Sequence, residues 1–123
     1  METLYCKARR NWELGERLLQ GGEYDAAANR LYYGLFQAVK ARLVEEGKLD
    51  ESEQFGVHGK VKKLLRGEHL KDTLEDFRGL RETADYCAEH VAGMDFEPDL
   101  MRRGRGLLDN YLKDHGNDCK YHS

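Results

Sequence analysis

Proline is nearly absent from this chain: Pro98 stands alone in 123 residues. A sheet-rich fold needs more turn punctuation than that, together with alternating apolar runs, and neither occurs. Long apolar runs are missing as well. The longest, Leu31–Phe36, falls far short of the roughly 18 residues that a membrane span requires. The opening METLYCKARR lacks the apolar centre of a secretory leader, so a cytoplasmic protein without a membrane partner is expected. Cysteines are three, far apart and in no C-x-x-C pair, which reads as reduced thiols. Neither sign of charge dominates. The 20 Lys and Arg against 23 Asp and Glu leave a net charge of −3, which excludes a non-specific nucleic-acid coat but not a local basic patch.

What is present suits helices. Apolar residues make up 40% of the chain, enough for one domain with a core of its own. Leu4, Ala8, Trp12, Gly15 and Leu19 recur at helical spacing, predicting a first helix over about Thr3–Gln20 that Gly21-Gly22 ends. A second runs from an Asp25 N-cap to Glu46 and stops at Gly47. Ala28, Leu31, Leu35, Ala38, Val39 and Leu43 form its apolar face, and Tyr32 and Phe36 widen it until the helix is apolar nearly all round, so it should be the central one. Lys48–Gly56 reads as a loop. A short helix follows, aligning Val57, Val61, Leu64 and Leu65. The fourth helix is expected from Asp72 or Thr73 to about His90, and a fifth after Pro98 carries Leu100, Met101, Leu107, Leu108 and Tyr111. The predicted fold is all-α: an up-and-down antiparallel bundle of four main helices and one short one, a single domain over 1–115 with a frayed polar tail over 116–123.

Three clusters could carry chemistry. Arg81 occupies a seam position in the series Leu74, Phe77, Arg81, Ala84, Ala88, where an apolar side chain belongs. A guanidinium never loses its charge and is costly to bury alone, and Asp85 lies one turn on, ready to pair with it. An Arg–Asp pair at the bundle rim explains this, and so does an anchor for a phosphate or carboxylate. On the second helix, Ala26, Arg30, Tyr33, Gln37 and Lys40 form a stripe, with Asn29 and Tyr32 beside it. Arginine with aromatics is the chemistry of base stacking and phosphate capture, although buried tyrosines also serve simply as core. Third, His58, Lys60, Lys62, Lys63, Arg66, His69 and Lys71 cluster, as a solvated helix face or a track for a polyanion.

Other chemistries lack their residues. There is no Glu-x-x-His, no His-Glu-x-x-His and no nucleotide-binding glycine fingerprint, so neither a metal nor another cofactor is expected. Cys87 and His90 lie three apart, but a packed cysteine accounts for that spacing better than a nucleophile does.

The stretch Tyr24-Asp25-Ala26-Ala27-Ala28-Asn29-Arg30-Leu31-Tyr32-Tyr33-Gly34-Leu35-Phe36-Gln37-Ala38-Val39-Lys40-Ala41 resembles the second-helix signature of the HEPN superfamily (higher eukaryotes and prokaryotes nucleotide-binding). Val57-His58-Gly59-Lys60-Val61 is similar to the start of helix three in its compact prokaryotic branch, and Arg81-Glu82-Thr83-Ala84-Asp85-Tyr86 to its Arg-x-x-Ala-Asp-Tyr element. Order and spacing agree over about residues 5–113. The resemblance implies a helical bundle that commonly homodimerises. It also implies a link to nucleotides or RNA, and partnership with a small nucleotidyltransferase in toxin–antitoxin-like pairs.

One departure matters. Ribonucleases of this superfamily carry Arg, four to six residues, then His. From Arg81 that window falls on Tyr86, Cys87 and Ala88, none of them a histidine, and His90 lies two residues beyond it. The tyrosine that a partner nucleotidyltransferase modifies in the family is matched here by Ala88. The expectation is therefore a non-catalytic domain that binds a nucleotide, an RNA phosphate or a nucleotidyltransferase. Its cleft would be formed by Arg30, Tyr33, Arg81, Asp85 and Tyr86, with His58 nearby. The alternatives are a divergent metal-independent endoribonuclease using His58 or His90, and a dimerisation module packing Tyr5, Trp12 and the fourth helix against a second copy.

Overall fold

A computed structural model of the chain describes residues 3–50, 52, 57–65, 67–86 and 90–115. Among these the helices are α1 (Leu4–Gln20), α2 (Tyr24–Glu45), α3 (Val57–Leu64), α4 (Glu68–Tyr86) and α5 (Pro98–Leu112), with single 3-10 turns at Gly93–Asp95 and Lys113–His115 and no strand. The all-α expectation holds. Cys87, Arg66 and the expected tail over 116–123 lie outside the described residues.

Local chemistry explains most boundaries. The Thr3 hydroxyl accepts from the Cys6 amide at 3.1 Å, satisfying one of the orphan N–H groups at the start of α1. Gly22, at φ 78°, reverses the chain after α1 so that the Glu23 amide reaches the Leu18 carbonyl at 2.9 Å. Two boundaries differ from expectation. Asp25 is not the N-cap of α2, which is Glu23; it sits in the first turn, and its carboxylate accepts from the Val91 amide at 2.9 Å instead. That bond ties the segment after α4 to the start of α2. And α4 begins at Glu68, before Asp72, because Gly67 at φ 91° turns the chain there and its carbonyl accepts from the Lys71 amide at 3.2 Å.

The contacts set the helix directions. Tyr5 meets Glu45, Asn11 meets Gln37 and Gly15 abuts Leu31, so α1 and α2 run antiparallel. Asn29 meets Asp85 while Tyr33 meets Arg81, so α2 and α4 do too. Arg42, late in α2, donates to the carbonyls of Asn110 and Tyr111, late in α5, which makes α2 and α5 parallel. As expected, α2 is the central element, buried at ten positions that go round its circumference from Ala27 and Ala28 to Tyr32, Gly34 and Leu43. Gly34 is the close-approach point. A Cβ there would lie 2.9 Å from the Trp12 amide nitrogen and 3.0 Å from the Ala8 carbonyl oxygen. Below it Trp12 packs edge-on against Phe77, both fully buried with Leu31, Leu35, Leu74, Leu107 and Leu108.

Two further expectations change. Tyr5 and Trp12 are core residues of this chain and cannot form a self-association face, because α2 and the Trp12–Phe77 contact already cover them. Cys6 is disulfide-bonded rather than a reduced thiol. Among the described residues no helix is long and apolar enough to cross a membrane.

Candidate functional site

Antiparallel pairing of α2 with α4 brings the Asn29–Tyr33 turn against the Arg81–Asp85 turn. The Arg81 side chain is 21% exposed, and its Nε lies 3.1 Å from Asp85 Oδ2. That contact is a charge pair without hydrogen-bond alignment, so the buried Nε has no hydrogen-bond acceptor. Asp85 is held in turn by the Asn29 amide at 3.3 Å. Three phenol rings surround the guanidinium: its central carbon is 5.3 Å from the ring centre of Tyr33, 5.6 Å from Tyr86 and 5.7 Å from Tyr32. Ring faces stabilise a partly desolvated cation but accept no directed N–H bond comparable to one from an oxyanion. Burial works against the charge on Arg81, while the phenols and Asp85 work for it, and the balance raises its pKa.

In front of Arg81 lies a cavity of about 330 Å³ lined by Tyr32, Tyr33, Phe36, Lys40, Val57, His58 and Arg81. Phe36 and His58 stack with centroids 6.0 Å apart, and Phe36 also stacks on Tyr32 at 5.8 Å. His58 opens α3 and turns inward because Val57 and Val61 bury the adjacent face of that helix against the bundle. Its ring is engaged on both sides. Nδ1 hydrogen-bonds the Tyr32 hydroxyl, and Nε2 lies 3.1 Å from Glu75 Oε1 on α4. Lys62 at 3.6 Å and Arg78 at 3.9 Å crowd the same carboxylate oxygen. Burial lowers the His58 pKa, helped by Arg78 and Lys62 and opposed by Glu75. Burial would raise the Glu75 pKa, but His58, Lys62 and Arg78 outweigh it and the value falls. Burial raises the Tyr32 pKa strongly, keeping the phenol neutral.

The structure brings most of the sequence-predicted site together. Tyr33, His58 and Arg81 line the cavity, and Asp85 and the 74%-exposed Tyr86 join it through Arg81. Arg30 points elsewhere, donating to Asn11 Oδ1 on α1 at 3.3 Å, where Asn11 also bonds Gln37 at 2.7 Å. Three residues of helix turn by about 300°, so Arg30 and Tyr33 are about 60° apart and the two share only part of a face. His90 is also elsewhere: 86% exposed, it meets Asp25 at 2.6 Å by the start of α2. Of the two histidines weighed as a substitute for the missing one, His58 is the one in the Arg81 cleft. The reading from sequence missed Glu75, took Phe36 for core alone, and named Lys40 in the α2 stripe without placing it in the cleft. Phe36 could have been found one turn after Tyr32, whereas Glu75 is 17 residues from His58 on another helix and no local spacing marks it. In the basic cluster, Lys62 faces Glu75 while Lys60 and Lys63 are exposed. Among the described residues no group of three His, Cys, Asp or Glu could hold a metal ion.

Such a cleft can do two things. A cation backed by aromatic faces can hold a phosphate beside a stacked base, and an imidazole fixed by a carboxylate can move a proton. The family description of the HEPN domain matches residues 1–104. A curated relative from Methanocaldococcus jannaschii, named "Putative toxin MJ0142", is 27% identical over 122 residues, covering 92% of this chain and 80% of its own length. No solved structure matches.

Proposed function

Because the chain belongs to the HEPN domain family, we propose that it is a toxin-like HEPN module whose Arg81 cleft grips a phosphate of a nucleotide or RNA strand. The observation that carries this reading is the Arg81 guanidinium at the wall of an open cavity, ringed by three phenols. An oxyanion in the cavity can accept the directed N–H bonds that ring faces do not, while Tyr33, Phe36 and the exposed Tyr86 ring offer faces for bases. Lys40 at the cavity wall adds a second cation. The toxin name of the relative and the family resemblance support a paired system, with a small nucleotidyltransferase as partner and a second copy of the chain in the assembly. The test is fluorescence anisotropy with a short labelled oligouridylate. Arg81→Gln should weaken binding by at least about thirtyfold, the equivalent of about 2 kcal/mol for removing one member of a desolvated charge pair. Unchanged affinity in a variant of wild-type helicity would contradict the reading.

A second reading, ribonuclease action without a metal, is favoured by one observation: His58 is oriented by Glu75 within the same cleft. The ribose 2′-hydroxyl would attack phosphorus and give its proton to His58. The P–O5′ bond would break, leaving a 2′,3′-cyclic phosphate and, after proton return, a 5′-hydroxyl. It stands second because both ring nitrogens are already engaged, so His58 has to release a partner before it can act. RNA cleavage yielding cyclic phosphate ends in the wild type, and none in His58→Ala, would promote it.

A further inference from the structure

The order of the partners around His58 makes the ring a switch for its neighbour. An ionised carboxylate only accepts, so Nε2 carries a hydrogen and donates to Glu75. In the neutral ring Nδ1 is then the acceptor, and the Tyr32 hydroxyl donates to it. Tyr32 lines the Arg81 cavity, but its single proton is spent on the imidazole and does not point at the space where an anion would sit. A second proton on the ring reverses that bond. Nδ1 becomes a donor, the phenol oxygen accepts, and the phenol's own hydrogen turns into the cleft.

We propose that Glu75, His58 and Tyr32 form a proton-coupled relay that makes the Tyr32 hydroxyl a donor to a phosphate held by Arg81 only when His58 is doubly protonated. The proposal rests on the phosphate-binding reading of the cleft and adds its regulation: binding takes up one proton. The surroundings set the balance. From α4 Glu75 favours the second proton, while Arg78 and Arg81 oppose it; from α3 Lys62 opposes it, as does Lys40 from α2 across the cavity; Phe36 contributes a neutral face. With the cleft empty, burial and these cations hold the ring neutral near pH 7. A phosphate between Arg81 and the phenol supplies the opposing negative charge and accepts the freed O–H. By linkage, affinity must then rise as pH falls.

The experiment is anisotropy with an oligouridylate that lacks a terminal phosphate, because its diesters keep one charge each across the range. Binding is measured at about pH 8 and about pH 5.5, on either side of the ordinary imidazole pKa of about 6.5. The wild type should bind about tenfold more tightly at the lower pH, one unit of pKa displacement being a tenfold factor. Tyr32→Phe is the decisive variant, since it keeps His58 and the overall charge. It should match the wild type at the upper pH and lose at least about half of the gain on a logarithmic scale. His58→Gln should bind at both pH values without the gain, and Glu75→Gln should move the midpoint to lower pH. A flat wild-type profile, or the full gain surviving in Tyr32→Phe, overturns the relay and leaves the Arg81 site standing. No binding at either pH overturns both.

Discussion

The same three residue types meet twice on α2, in different orders. In the cleft, histidine is in the middle: Tyr32, His58, Glu75. At the last residue of α2, glutamate is in the middle. There the Tyr5 hydroxyl donates to Glu45 Oε2 at 2.5 Å, and His115 Nε2 lies 3.1 Å from the same oxygen. The Tyr5 and His115 rings stack at 3.6 Å with only 9° between their planes. A central carboxylate can only accept, so no proton passes through it from one neighbour to the other. It works as a clasp that fastens the end of α5 to α1 and α2. A central imidazole both donates and accepts, so a change on one side is felt on the other. Burial, and then the bond to Glu45, push the Tyr5 pKa up to about 12, which holds that phenol in its protonated, donating form. Composition is equal in the two clusters; order and an adjoining cavity separate them.

The largest effect should come from breaking the frame that both clusters share. Gly34→Ala places a methyl 2.9 Å from the Trp12 amide nitrogen and 3.0 Å from the Ala8 carbonyl, and backbone cannot step aside. Prising α1 from α2 should cost about 3 kcal/mol in chemical denaturation. A variant as stable as the wild type would show that the helices have room to separate. Next in size is the clasp. Tyr5→Phe removes one hydrogen bond and should cost about 1 kcal/mol, with oligouridylate affinity and its pH dependence untouched. If that substitution altered the pH dependence, the clasp would be part of the site and the comparison would collapse.

The smallest effect is a pH limb in stability. The folded-state pKa of His58 is lowered, so the folded protein binds fewer protons than the unfolded chain near the ordinary imidazole pKa. Stability is therefore fully present above about pH 6.5 and declines as pH falls through the folded-state value. Glu75, also lowered, adds a further loss below about pH 4.5. His58→Gln should flatten the upper part of this limb in thermal melts taken across the range. A limb of the same slope in that variant would assign it to other groups.

How far each feature was legible in the sequence follows from how local its cause is. The bounds of α1 rest on Thr3 and Gly22, both next to the helix, and were read within a residue or so. The start of α4 was misread because Gly67 and the apolar Leu70 precede the polar Lys71-Asp72 that looked like a beginning. Arg81 stood out as a cation in an apolar seam, a signal that one helix carries by itself. Arg30 was placed in the cleft because a helical stripe is wider than the groove it borders, and Asn11 on α1 takes it the other way. The two Tyr–His–Glu clusters were out of reach. Each joins three separate segments, with Tyr5 and Glu45 40 residues apart and Tyr32 and His58 26 apart, so nothing in local spacing reports them.

The relay is tested most directly by imidazole nitrogen-15 NMR, titrating His58 with and without saturating oligouridylate and using His115 as the internal reference. The account predicts that the ligand raises the His58 pKa and turns Nδ1 from acceptor to donor, while the His115 resonances do not respond. A His58 titration indifferent to bound RNA would contradict it.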